Sequence, residues 1–149
     1  MQHFESISRN MMITDKYFKL YLRDALAPYD LNAAQGVVLL MLYHNAAAKN
    51  TQEDLIRRIH YDKGVMTRTM KELEQKDLVV REQNPSDSRS FLFSLTEKGT
   101  AFKATMMDVL RRWNEQLLQG VSPQDLVVVK SVLETMAQNA FRSSETIFE

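Results

Sequence analysis

The chain has 149 residues, 44% of them hydrophobic and 26% charged. That ordinary globular balance argues against disorder and suits one domain with a real core, or one subunit of a dimer. There is no cysteine, and 19 basic residues face 19 acidic ones, which excludes disulfides, cysteine-based zinc sites and thiol switching, and leaves nucleic-acid binding dependent on a local basic face.

Residues 5–27 are predicted as a helix, because Ile7, Met11, Phe18, Leu22 and Leu26 recur near helical spacing, with Met12, Tyr17 and Tyr21 widening the stripe. Pro28 ends it. Asn32 opens the next helix, with Gln35 at the capping-box position and a deeply apolar VVLLML run. Thr51 and Asp54 form a box-like cap for a short helix ending near His60. Asp62 caps a helix over 63–76, in which Met66, Met70 and Leu73 share one face. Gly64, Arg68 and Lys71 share the opposite face, with Lys63 and Thr67 towards its edge. Two helices so closely spaced read as a helix-turn-helix.

The strand-like runs LVVRE and FLF follow, separated by the loop begun at Asn84-Pro85. Thr96 is predicted to cap one long helix over about 97–119, with Phe102, Met106, Leu110, Trp113 and Leu117 as its stripe. Ser122-Pro123-Gln124-Asp125 starts the last helix, lined by Leu126, Val129, Leu133, Met136 and Ala140; the final SSETIFE is expected to fray. The expected fold is mainly α with a small two-stranded β wing. It is a winged helix-turn-helix lobe (32–99) flanked by N- and C-terminal dimerisation helices (5–27 and 100–141) in a single domain, 1–149. The wide apolar faces of the flanking helices call for a partner subunit, and an intertwined two-fold dimer is the simplest cover.

On this reading the helix at 63–76 enters the DNA major groove. Arg68 and Lys71 reach guanine edges or phosphate, Thr67 a base edge or phosphate, and Gly64 permits close approach. Arg89 enters an A·T-rich minor groove, with Asp87 pairing its guanidinium in a fork. Each feature alone has a plainer explanation, since any wet helix face carries Lys and Arg, and an exposed Asp–Arg pair contributes about 0–1 kcal/mol. Their placement around a turn and a wing favours the DNA reading.

The stretch NPSDSRSFLFSLTEKG resembles the wing signature of the MarR family of transcription regulators: an acid, any residue, Arg, then a strand ending in Leu-Thr-x-x-Gly. Here these are Asp87, Arg89, Leu95, Thr96 and Gly99. DLIRRIHYDKGVMTRTMKELEQKDLVVRE is similar to the family's helix-turn-helix running into the first wing strand. The resemblance implies a homodimer on a pseudo-palindromic double-stranded operator, released by a small aromatic or anionic effector. Asp77 departs from the family's usual Gly before the wing strand, and a left-handed backbone with mild strain is expected there. The missing cysteine removes the family's thiol-oxidation mode.

Tyr17, Tyr21, His44, Met106 and Trp113 lie on helices that would border the implied effector pocket, although aromatics and Met at helical spacing are more often core or interface. His3, His44 and His60 are scattered without metal-ligand spacing, no catalytic constellation appears, and no cofactor is expected. No apolar run reaches membrane length and no signal-peptide core is present, so a cytoplasmic protein without a membrane partner is expected. The function expected is a dimeric, DNA-binding transcription regulator, a repressor; the alternative is a winged helix that docks a protein and binds no DNA.

Overall fold

The computed structural model describes residues 2–147 apart from 45, 47 and 60; His60 and the last two residues of the expected frayed end therefore lie outside the described residues. The chain forms two compact units, Met1–Trp113 and Asn114–Glu149. The first begins with α1 (Gln2–Leu26), which passes through a 3-10 turn at Ala27–Tyr29 into α2 (Ala33–His44). A short strand β1 (Asn50–Thr51) leads into α3 (Gln52–Ile59) and α4 (Lys63–Gln75). Strands β2 (Val79–Gln83) and β3 (Phe91–Leu95) follow, then α5 (Glu97–Ala101) and α6 (Lys103–Leu117). The second unit carries α7 (Pro123–Ile147).

Three expectations need correction; the first is the frayed end, since α7 stays helical through Ile147. The sheet has three strands in the order β1-β3-β2, all antiparallel, where two were expected. β1 pairs Asn50 with Phe93 and Thr51 with Leu92; two polar residues have no alternating pattern to announce them, and only the presence of β3 makes them a strand. The single helix over 97–119 is divided at Phe102 into α5 and α6, although the Phe102 N–H still donates to Lys98 O at 3.0 Å and the Met106 N–H to Phe102 O at 3.1 Å, so the direction is kept.

The core of the first unit gathers Leu22 and Leu26 of α1, Val38, Leu39 and Leu42 of α2, Leu55 of α3, Met66, Met70 and Leu73 of α4, and Met106 of α6. The expected caps are all present. The Asn32 N–H donates to Gln35 Oε1 at 3.1 Å while the Gln35 N–H donates to Asn32 Oδ1 at 2.8 Å, a reciprocal capping box. Thr51 and Asp54 exchange equivalent bonds at the start of α3. Buried Tyr43 donates to Gly99 O at 2.8 Å, and burial pushes its phenol up to about 12.

α4 ends in a Schellman motif. Asp77 has φ 58°, as expected; its N–H donates to Glu74 O and the Leu78 N–H donates to Leu73 O, both at 3.0 Å. Thr96 holds this turn from the far side of the wing, its hydroxyl donating to Asp77 O at 2.6 Å and accepting from the Gly99 N–H at 2.9 Å. A Cβ on Gly99 would lie 2.0 Å from Leu78 O, so only glycine lets α5 sit against the exit from α4. The Leu-Thr-x-x-Gly run is thus a clamp between the helix-turn-helix and the wing.

Candidate nucleic-acid interface

α4 is fixed at its start by Asp62, whose Oδ1 accepts from the Val65 N–H at 2.8 Å. A Cβ on Gly64 would sit 3.2 Å from that carboxylate oxygen, so glycine keeps the cap uncrowded. With Met66, Met70 and Leu73 in the core, the helix turns Lys63, Gly64, Thr67, Arg68 and Lys71 to solvent, and all five are exposed. Thr67 is already engaged: its hydroxyl donates to Lys63 O and accepts from Gln52 Nε2, both at 2.7 Å. It can offer DNA its methyl and one remaining lone pair. Gln52, at the start of α3, is a supporting residue that the sequence did not reveal.

The wing tip is built from nested Asx turns. Asn84 Oδ1 accepts from the Ser86 N–H at 3.0 Å, and Asp87 Oδ1 accepts from the Arg89 N–H at 2.9 Å. Backbone bonds from Asn84 to Ser90 O and from Ser90 to Asp87 O close the loop. This corrects the expected fork between Asp87 and Arg89. The carboxylate holds the arginine's backbone, no ion pair joins the two side chains among the described residues, and the guanidinium is exposed. A one-residue separation in a tight turn brings the carboxylate to the N–H two positions on more readily than to the end of a long side chain.

The electrostatics of the lobe are selective. Lys49 is paired with Glu82, Arg57 with Asp54, Lys76 with Asp30, and Arg81 with Glu74 at 3.1 Å while also stacking on Phe91. Lys98 donates to Lys76 O at 2.8 Å. Burial pushes the Asp54 carboxyl up, but hydrogen bonds from Thr51 and the field of Arg57 and Arg58 outweigh it and hold Asp54 below the usual carboxylate range. Among the described residues of 32–99, the lysines and arginines without such a partner are Arg58 on α3 and Lys63, Arg68, Lys71 and Arg89, the last four being the exposed cations of α4 and the wing tip.

The effector candidates separate. Tyr21 and Trp113 share an aromatic cluster with Phe18, with centroids 5.3 Å apart for Tyr21–Trp113 and 5.5 Å for Phe18–Trp113, and the Tyr21 hydroxyl donates to Val109 O at 3.0 Å. Met106 is fully buried, whereas Tyr17 and His44 are exposed. Tyr21, Trp113 and Met106 therefore have packing roles in the first unit. Among the described residues there is no group of three or more metal-ligating side chains, and no single helix is long and apolar enough to cross a membrane.

A helix-turn-helix followed by a hairpin, with exposed cations on the second helix and at the hairpin tip, defines the winged helix-turn-helix class. The MarR family model matches residues 31–91. Over 119 residues the chain is 31% identical to the HTH-type transcriptional regulator BilQ of Clostridioides difficile, covering 80% of this chain and 79% of that protein. Its fold is similar to that of a MarR transcriptional regulator from Methanosarcina mazei, with a TM-score of 0.86 and 26% identity over 93% of this chain and 98% of that one. It is also similar to a mutant E. coli MarR complexed with operator DNA, with a TM-score of 0.72 and 24% identity over 90% of this chain and 95% of that one. The chain belongs to the MarR family; it is a DNA-binding transcription regulator and not an enzyme.

Proposed function

We propose that the protein is a cytoplasmic, homodimeric repressor of a pseudo-palindromic operator. Residues 32–99 are its DNA-binding lobe, and 5–27 and 100–141 its dimerisation helices. The observation that carries this reading is the clustering of Lys63, Arg68, Lys71 and Arg89, exposed and without acidic partners among the described residues, on α4 and the wing tip, while Lys49, Arg57, Lys76 and Arg81 are ion-paired. Unpaired cations release counterions on meeting phosphate, which gives a locally basic face to a chain with no net charge. α4 lies in the major groove, with Arg68 and Lys71 towards base edges or phosphate, Lys63 towards phosphate, and Gly64 and Thr67 at the closest approach. Arg89 enters the minor groove, set by the turn that Asp87 holds. That the structurally similar E. coli protein was crystallised with operator DNA supports a DNA-binding role.

The exposed apolar residues of each terminal helix support dimerisation: Ile7, Met11, Ile13 and Tyr17 on α1, and Val128, Val132, Leu133 and Phe141 on α7. A small aromatic or anionic effector completes the proposal, with exposed Tyr17 and His44 as the side chains placed to touch it, while Tyr21, Met106 and Trp113 keep the packing roles given above. The test is recovery of bound DNA from a random pool, with and without aromatic acids. A palindrome with half-sites about 10 bp apart, or a multiple, is expected. Uniformly absent binding would overturn the reading in favour of a protein-docking winged helix, which no observation favours.

A further inference from the structure

Within α4 the acidic residues are Glu72 and Glu74, and both stand where they could silence the proposed DNA-facing cations. Glu72 is four residues beyond Arg68, and Glu74 three beyond Lys71, the spacings at which opposite charges meet on a helix surface. Neither pairing forms. Gln35 Nε2 of α2 donates to Glu72 Oε2 at 2.7 Å, and Arg81 Nε of β2 lies 3.1 Å from Glu74 Oε1. Each acid is drawn to a partner outside the helix.

Gln35 is well placed for this. It is 2% exposed, its position is fixed by the capping box with Asn32, and its Oε1 also faces Lys76 Nζ at 3.5 Å. Lys76 in turn bonds the carbonyl of Asp30, with the Asp30 carboxylate 3.3 Å away. Arg81 is steadied by the Phe91 ring, its guanidinium carbon 4.8 Å from the centroid.

We infer that Gln35 and Arg81 are positioning residues that hold the two acids of α4 away from Arg68 and Lys71, keeping both cations available to DNA without touching it. This rests on the DNA-binding reading above. A carboxylate beside Arg68 would compete with phosphate or guanine for the same guanidinium, so losing the Gln35 contact weakens binding because of Glu72, and removing Glu72 cures the defect.

A double-mutant cycle tests this in the full-length protein with its recovered operator. Gln35→Met lowers operator affinity by about fivefold, the scale of one polar contact. Glu72→Gln restores that loss in the Gln35→Met background, yet changes the parent by less than about twofold. An equal or smaller gain from Glu72→Gln in the Gln35→Met background overturns the inference, since lost packing alone would not be cured by removing a carboxylate. Should Gln35→Met fail to fold, the surface cycle of Arg81→Gln with Glu74→Gln decides by the same criterion. Relaxation of the Arg68 side-chain Nε–H without DNA separates the two readings. The inference expects Arg68 to be more restrained in Gln35→Met than in the parent, even if no operator is found; unchanged mobility overturns it.

Discussion

The winged lobe and the last helix handle apolar residues in opposite ways. In the lobe, Leu39, Leu55, Met66, Met70 and Leu73 are fully buried by neighbours in the same unit, and the outward faces are polar apart from Val80 and Phe91 of the wing. On α7, Val127, Val128, Val132, Leu133 and Phe141 are exposed, between 48% and 70%. The first unit completes the lobe's core with Leu22 and Leu26 of α1 and Met106 of α6, whereas α7 presents a surface of the kind that marks association. Under the function proposed above, the two regions do different work: one reads DNA, and the other holds two readers at a fixed spacing.

The largest expected effect falls on assembly. Leu133→Glu places a charge on the exposed apolar face of α7 and should convert the dimer to monomer in sedimentation equilibrium while leaving the lobe folded; a parent-like dimer would break the division of labour. Arg68→Ala should do the reverse, keeping the dimer and costing about 1–3 kcal/mol of operator affinity if the side chain reads a base. A titration series on matched and scrambled operators checks it, and an equal loss on both assigns Arg68 to phosphate.

Smaller effects sharpen the account of the lobe. Asp77→Gly should raise its thermal stability by about 0.5–1 kcal/mol, since relief of the left-handed backbone exceeds the entropic cost of glycine; calorimetry reads the change. The smallest is a pH effect at the start of α3. The folded Asp54 carboxyl titrates below its ordinary value, so its stabilisation is complete above the unfolded carboxylate value and disappears as pH falls through the folded one. Asp54→Asn should therefore flatten the acid limb of the unfolding curve and leave the neutral region with the smaller difference in slope.

Much of this was legible because local chemistry decided it. Asp62, Asn32 with Gln35, and Thr51 with Asp54 cap their helices as their residue types require, while the left-handed Asp77 was implied by the glycine usual at that place in the family the chain resembles. β1 was not legible, since Asn50–Thr51 is a strand only against Phe93 and Leu92. The Asp87–Arg89 arrangement was read with the right residues but the wrong atoms, because spacing does not say whether a carboxylate in a tight turn meets a guanidinium or a backbone N–H. Gln35 was visible as a cap, but its second bond, to Glu72, crosses 37 positions and has no signature in either segment.

The amino-acid sequence by itself determined the helix limits to within a few residues, the wing, the family and the exposed cations of α4 and the loop. Those depend on periodicity, caps and turn residues, which act over a few positions. The tertiary structure decided which acids are held by which partners, and so which cations stay unpaired. Ion pairing depends on distances of a few ångströms between distant segments, and only packing sets those.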